Sequence, residues 1–470
     1  MPKLFSASTL RLNDIKKYVN PEGYLSSRVR SVRETLTQII PLTKKIGVTR
    51  IADITHMDRV YIPNYVSVLP GTEDTIWVYS GKGPTKDHAM ASAIMESIER
   101  YCSLSSTSSK KIIKGTHSQL SKQYSKVLHP EEVVEPTAAN YNENSIMDFV
   151  SGFDLLKREE VLVPAQLVFS RHSSKLPAVN TFLYSHTNGL ASGNVLEEAI
   201  CHALCEVIER DAVSIAHLSA SSIPYTILNR FISTLRRTSD QFRVNESKEI
   251  DFVDDPSIFP DVNVTEIVNE FKPIKILVQR FAKAGISLLI KDITQSDIGI
   301  PTFVASCIEW ITSDYGYFAI GYGTHLDSRI ALIRALTELS QTRVGDIQGG
   351  RDDLKKIQYR ENDEIYKRKW QFMPAASFGT EKKNMIMFSE VKTFVMDDIL
   401  DDIKLILSRL KKSGLKRVII VDLTDPNIGI PVVRAIVPGL ETFEVARLFT
   451  SSDIFMGKRA NNCFQNLIRS

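Results

Sequence analysis

Cysteine is scarce in this 470-residue sequence: Cys102, Cys201, Cys205, Cys307 and Cys463 are odd in number and scattered. A disulfide-stapled scaffold is excluded, and a reducing compartment is expected. No uncharged apolar run approaches the ~20 residues that span a bilayer. The stretch MPKLFSASTLRLNDIKK has no apolar core of signal-peptide length. Neither sign of charge dominates, since 58 Lys plus Arg face 55 Asp plus Glu for a formal net charge of +3. Neither nucleic acid nor a membrane is therefore an expected partner. The Gly-x-x-x-x-Gly-Lys-Ser/Thr and Gly-x-Gly-x-x-Gly phosphate loops are missing, as is a Gly-x-Ser-x-Gly elbow. With 43% hydrophobic and 24% charged residues, the composition is that of an ordinary globular protein, expected to be cytoplasmic. At ~150 residues per domain the length accommodates about three domain-sized units or one large fused domain.

What is present is repetition. Asp53-Ile54-Thr55 leads to Ile62-Pro63, Asp292-Ile293-Thr294 to Ile300-Pro301, and Asp422-Leu423-Thr424 to Ile430-Pro431, with a looser copy from Asp154-Leu155-Leu156 to Val163-Pro164. Each reads as a β-hairpin whose second strand opens after proline, where no ladder donor is lost. A second repeat overlays the first: strand, glycine turn and helix recur at Gly83, Gly189 and Gly323. The expected fold is α+β, with mixed or antiparallel sheets, packed helices and duplicated strand–turn–helix units. Residues 1–48 read as a helical lead-in, 49–440 as the core, and 441–470 as a tail. Within the core, 236–265 looks like an inserted surface loop, 351–372 a charged helical excursion, and 396–413 an amphipathic helix.

The three helices carry a polar stripe. At about 100° per residue, Ser92, Glu96 and Glu99 share a face, as do Asn194, Glu198, His202, Glu206 and Glu209, and again Arg334, Glu338 and Gln341. Their other faces are apolar, so the helices are expected to be largely buried. Buried carboxylates need cations, because desolvating an unpaired charge costs several kcal/mol. Either Arg100, Arg210, Arg334 and Arg343 close ion-pair networks or metal ions do, and hard oxygen ligands suit Mg²⁺. Gly81-Lys82-Gly83 and Gly321-Tyr322-Gly323 offer a helix amino terminus to an anion, or are simply turns. Cys201-His202-x-x-Cys205 lacks the second ligand pair that zinc requires and reads as core packing.

Ser92-x3-Glu96-x2-Glu99-Arg100, then Asn194-x3-Glu198-x7-Glu206-x2-Glu209-Arg210, then Glu338-x2-Gln341 give the sequence its resemblance to the YcaO family, ATP-dependent enzymes that activate peptide backbone amides. The run GVTRIADITHMDRVYIP with VYSGKG and SAIMESIERY is most similar to the methanogenesis-marker branch, although Tyr61 stands where glycine is usual. The resemblance implies bound ATP and Mg²⁺, with Glu96, Glu99, Glu206 and Glu209 as metal ligands. It implies Ser92, Asn194, Glu198, Arg210, Lys82, Arg50 and Gln341 as nucleotide contacts, and Arg210 and Arg343 as catalytic cations. In the family's chemistry a nucleophile adds to an amide carbon, the oxyanion takes the γ-phosphoryl group, and phosphate leaves. Ring-forming members often end in a Pro-x-Pro-x-Pro tail, whereas the last proline here is Pro438. The expected activity is therefore thioamide formation with sulfide on a peptide, such as a glycine of methyl-coenzyme M reductase. A TfuA-like or sulfur-donor partner and a homodimer are further expectations. An azoline-forming cyclodehydratase and a non-catalytic nucleotide-binding scaffold are the alternatives.

Overall fold

The structure is a computed structural model that describes residues 15–70, 76–104, 108, 110–133, 143–170, 186–217, 259–310, 316–348, 385–442 and 458–459. In chain order the helices are α1 (Val32–Ile39), α2 (Thr43–Ile46), α3 (Lys86–Cys102), α4 (His117–Gln123), α5 (Ala165–Val168), α6 (Leu196–His217), α7 (Thr265–Glu270), α8 (Lys272–Lys283), α9 (Ser328–Gln348) and α10 (Ile399–Lys412). The strands are β1 (Arg50–Asp53), β2 (Asn64–Pro70), β3 (Ile76–Lys82), β4 (Ile113–Gly115), β5 (Met147–Asp154), β6 (Glu159–Pro164), β7 (Leu190–Ser192), β8 (Asp261–Asn263), β9 (Leu289–Asp292), β10 (Thr302–Trp310), β11 (Gly316–Thr324), β12 (Met385–Met387), β13 (Ile419–Asp422) and β14 (Val432–Ile436).

They form sheets ordered β1-β2-β3, β11-β10-β9-β8-β12, and β4-β5-β13-β14-β7 with β6 also on β5. Among the described strands, all pairings are antiparallel except β12 with β8. The α+β architecture expected from the sequence is thus present.

Three hairpins obey one local rule. Asp53, Asp292 and Asp422 end their strands, and each Oδ1 accepts the backbone N–H of the threonine two residues on, at 3.0, 2.9 and 2.9 Å. Each threonine Oγ1 then accepts the N–H of the residue after proline, from Asn64, Thr302 and Val432. The Asp-x-Thr…Ile-Pro spacing therefore encodes an Asx turn that hands the chain to the second strand. Gly299 and Gly429 take left-handed backbone in this turn, at φ 67 and 69°, and Tyr61 does so at φ 56°. The looser fourth copy is different: β5 and β6 join directly, Pro164 closes β6 opposite Phe149, and Ala165–Val168 is helix rather than strand.

Each hairpin belongs to a larger unit of helix, three strands and helix. The first runs continuously from α1–α2 through β1-β2-β3 to α3, and the second from α8 through β9-β10-β11 to α9. The third is split. Helix α10 and hairpin β13–β14 come late in the chain, while the third strand β7 and helix α6 come from its middle. β14 pairs with β7 through Val432 with Ser192 and Arg434 with Leu190, which closes the unit. This corrects the reading of the middle repeat, in which the strand was expected to end at Gly189. β7 follows Gly189, and Gly193 makes the turn into α6.

The described part of the lead-in begins as a strap over α10 before reaching α1 and α2. Lys16 bridges to Asp398, and Lys17 forms a buried ion pair with Asp402 of α10 at 2.6 Å. Ser31 and Glu34 close a capping box that starts α1. The end of the expected 236–265 insertion is ordered structure, since β8 and the first residue of α7 fall inside it. Residues 218–258, the 351–372 excursion and most of the 441–470 tail lie outside the described residues.

Candidate active site

The glycine turns set a common helix register. A Cβ on Gly83, Gly193 or Gly323 would fall within 3.0 Å of the backbone N of Ala89, Ala199 and Ala335. Gly81 and Gly321 are pressed equally hard against Ala93 and Leu339. Their own helices fill the space beside these glycines, so their part is close helix–strand packing and not an anion loop. Counting from the matched alanines, Glu96 corresponds to Glu206, Glu99 to Glu209, and Arg100 to Arg210. In α9 the register differs from the sequence pattern. Glu338 corresponds to Ser92 and His202, one turn nearer the glycine than its Glu-x-x-Gln spacing suggests.

The carboxylates form one electrostatic cluster. Glu99 accepts hydrogen bonds from Ser192 N and Oγ at 2.9 and 2.6 Å. Burial lifts its carboxyl to about 7 against those hydrogen bonds, and the charge of Glu96 adds to the rise. Burial also lifts Glu206 to about 7 against Arg210, with Glu99 contributing. Glu209 reaches about 7 through burial and then the charge of Glu338, opposed by Arg210 and Lys82. Burial would raise Glu338 as well, but Lys82 and Arg210 together hold it below the usual carboxylate range. Lys82 forms its ion pair with Glu338, and Glu96 pairs with Arg100 at 3.0 Å. Burial opposes the charge of Arg210, yet Glu209, Glu338 and Glu206 hold it firmly protonated.

Five carboxylates, Glu96, Glu99, Glu206, Glu209 and Glu338, thus share the cations Arg100, Arg210 and Lys82. Burial, reinforced by the excess of acid, explains why three carboxyls titrate near neutrality. Their oxygens suit a hard divalent cation. Among the described residues, no three acid, histidine or cysteine side chains converge closely enough to hold a metal ion unaided.

The other end of the α6 stripe is cationic. Burial pushes His202 well below its usual range, followed by the charges of Arg28, Arg334 and Lys82. His325 is depressed likewise by burial, then by Arg334, Lys17 and Arg28. Both imidazoles are therefore held neutral at pH 7, by burial first and by the surrounding cations second. Arg334 donates to Thr324 O at 2.9 Å. The stripe from Glu198 to Glu209 rises ~16 Å along α6, with positive charge around its first half and acid along its second.

Other residues singled out in the sequence sit in built positions. Glu198 accepts from Arg28 Nη1 at 2.9 Å, from Val29 N, and from Asn194 N and Nδ2, while Asn194 Oδ1 accepts from Thr35 Oγ1 at 2.9 Å. Together they fasten the lead-in strap to α6. Gln341 Nε2 donates to Ser80 O of β3 at 2.6 Å. Arg343 forks onto Asp58 at 2.8 and 2.9 Å, both side chains buried, and points about 140° away from Glu338 around α9. Arg50 is exposed opposite Val68, ~13 Å along the sheet from the level of Lys82. Ser92 is partly exposed on the α3 face that carries Glu96 and Glu99. Cys201 and Cys205 are buried and hydrogen-bonded to each other, as core residues rather than zinc ligands.

Sequence reasoning missed four contributors. Arg28 is one of several arginines in the lead-in, Ser192 sits in a three-residue strand, and His325 is a lone histidine. Arg434 is 1% exposed, donates to Leu167 O and His186 Nδ1, and its charge reaches Glu206.

The family model for YcaO cyclodehydratases, described as ATP- and Mg²⁺-binding, matches residues 80–441. The chain belongs to the YcaO family. An uncharacterized protein of Methanothermobacter thermautotrophicus is 34% identical over 423 residues, covering 88% of this chain and 94% of its own. An uncharacterized protein in the tfuA 3' region of Rhizobium leguminosarum bv. trifolii is 28% identical, covering 91% and 92%. In fold, the chain is similar to YcaO from Methanopyrus kandleri bound with AMPPCP and Mg²⁺, with TM-score 0.62, 23% identity, and 92% and 96% of the two chains covered. It is also similar to a heterocyclase in complex with substrate and cofactor, with TM-score 0.69 and 20% identity, covering 93% of this chain and 55% of that one. YcaO proteins are ATP- and Mg²⁺-binding enzymes, and the acid and cation ends of the α6 stripe suit both ligands. No helix among the described residues is long and apolar enough to cross a membrane.

Proposed function

We propose that this YcaO protein uses ATP and Mg²⁺ to activate a peptide backbone amide and introduces sulfide to form a thioamide. The observation that carries the nucleotide part is the bipolar stripe of α6, cations around His202 and acids from Glu206 to Glu209. A triphosphate carrying a divalent cation needs both halves. Glu96, Glu99, Glu206 and Glu209 would hold metal, with Glu338 beside them. Lys82, Arg210, Arg28 and Arg334 would meet phosphate oxygens, and Ser92 faces the same space. Asn194, Glu198, Gln341 and Arg343 build the walls that hold these groups in place. Bound ATP supplies the phosphoryl group that turns the amide oxygen into a leaving group, while Mg²⁺ offsets the phosphate charge. Arg210, held charged by three carboxylates, provides a fixed positive charge beside the reacting centre.

The thioamide part is supported by the sequence run shared with the methanogenesis-marker branch and by the relative from Methanothermobacter. The relative in the tfuA 3' region favours a TfuA-like protein as the sulfur-handling partner. Cyclodehydration is the second reading, favoured by the family description. The deciding experiment is intact-mass analysis of a glycine-containing methyl-coenzyme M reductase peptide incubated with the protein, Mg²⁺–ATP and sulfide, with and without a TfuA-like protein. ATP-dependent exchange of one oxygen for sulfur supports the thioamide reading. Loss of one water from a Cys- or Ser-containing peptide instead would establish ring formation and overturn it.

A further inference from the structure

The third unit is assembled from two distant parts of the chain, and besides the short β14–β7 ladder and the apolar core they share, one buried carboxylate ties them together. Asp211 of α6 is fully buried. Its Oδ1 accepts the backbone N–H of Glu441 at 2.8 Å, just beyond β14. Arg459 grips the same carboxylate with Nε at 3.0 and 3.2 Å and Nη2 at 3.0 Å. The guanidinium also reaches Asp297, in the turn between β9 and β10. A single arginine therefore links α6 of the third unit to a hairpin turn of the second, and the residue it holds directly follows Arg210.

We propose that Arg459 is a positioning residue for the nucleotide site: through Asp211 it fixes the rotation and axial setting of α6 where Glu209 and Arg210 project. This rests on the reading of the carboxylate cluster as the Mg²⁺–nucleotide site. A helix is rigid over one turn, so holding Asp211 also holds the two residues before it. Such groups must stay within about 0.5 Å of their working positions, and a displacement of about 1 Å costs up to about 100-fold in function. In the two continuous units the chain itself joins hairpin to helix. In the third, the hydrogen bond from Glu441 N to Asp211 adds a polar join to the apolar packing, and Arg459 clamps the same carboxylate.

The test uses the full-length chain and Mg²⁺–AMPPCP binding by calorimetry, with thermal melts of every variant. Arg459→Gln is expected to weaken analogue binding by about tenfold or more. Arg459→Lys, which keeps the charge but loses the fork, is expected to fall between it and wild type. Asp297→Asn leaves the Asp211 grip in place and is expected to bind within about twofold of wild type. If Arg459→Gln does not fold, Asp211→Asn and Arg459→Lys are judged by the same standard. Failure of the wild type to bind the analogue overturns the nucleotide-site reading itself. Wild-type binding with equally tight binding by folded Arg459→Gln overturns the positioning role and leaves the nucleotide site standing.

Discussion

Glu209→Gln separates a carboxylate kept for ligand from one kept for structure. In the free protein Glu209 titrates at about 7, raised by burial and by Glu338 from a usual 4.5. Ionising it inside the fold therefore costs on the order of 3 kcal/mol more than in the unfolded chain. The sign follows from the direction of the change. Below pH ~4.5 both states hold the proton and the group costs nothing. As pH rises toward 7 the unfolded chain ionises first, so stability falls, and above 7 the full cost is present. Glutamine removes that cost, so Glu209→Gln is expected to raise the stability of the ligand-free protein at pH 8 by roughly 1–3 kcal/mol. The lower part of that range allows for Glu209 sharing its titration with Glu338. The same substitution is expected to abolish Mg²⁺–nucleotide binding. Chemical denaturation at pH 5 and pH 8 and calorimetry with Mg²⁺–AMPPCP measure the two arms. A variant less stable than wild type at pH 8, or one that binds the nucleotide unchanged, would refute the assignment.

Further expectations follow from other parts of the site and fold. Because Glu99, Glu206 and Glu209 each titrate at about 7, Mg²⁺–nucleotide binding is expected to strengthen from pH 6 to 8 with proton release, visible as a dependence of the calorimetric heat on buffer ionisation enthalpy. Lys82→Met removes the ion-pair partner of Glu338 and is expected to raise that carboxyl and weaken nucleotide binding, read by carboxyl NMR titration and calorimetry. Gly321→Ala would drive a methyl into the backbone of Leu339 and Ala335, so a destabilisation of about 3 kcal/mol or more is expected in denaturant melts. Tyr61→Gly relieves a left-handed backbone at φ 56°. Its relief of roughly 1–2 kcal/mol against a glycine entropy cost of about 0.5–1 predicts a gain of up to about 1 kcal/mol. A loss instead would show that the edge contact of Tyr61 with His56 dominates.

Local chemistry was readable in the sequence, and long-range pairing was not. The Asp-x-Thr…Ile-Pro hairpins follow from bonds made within ten residues of one another, so their spacing reveals them. The amphipathic helices and their acid stripes follow from periodicity. The fourth hairpin departs because Asp154 still accepts the N–H two residues on, from Leu156, but no threonine hydroxyl stands there to pass the bond to the residue after proline. The middle repeat was placed at Gly189 because nothing local distinguishes that glycine from Gly193. What separates them is packing: Gly193 lies against Ala199 of the helix, and Gly189 lies against Ala435 of β14. Arg28, Asp211 and Arg459 carry no motif. Each is an ordinary charge until the fold sets it against a partner far away in sequence, as half-buried Arg28 is set against buried Glu198.

The split third unit also governs how the molecule is made. The first unit has all its strands and its acid helix by Cys102, soon after they leave the ribosome. The α6 helix, with Glu206 and Glu209, has no complete sheet to lie on until β14 arrives about half the chain later. Its apolar face must wait exposed, and the late ladder closes a loop whose entropy is among the largest the fold has to overcome. Synthesis is therefore expected to pass through a stage in which this acid-rich helix has only β7 of its sheet beside it, a species open to aggregation and chaperone capture. Nucleotide-binding competence is accordingly acquired last, and a ribosome-stalled chain ending before Val432 would display α6 without the site it serves.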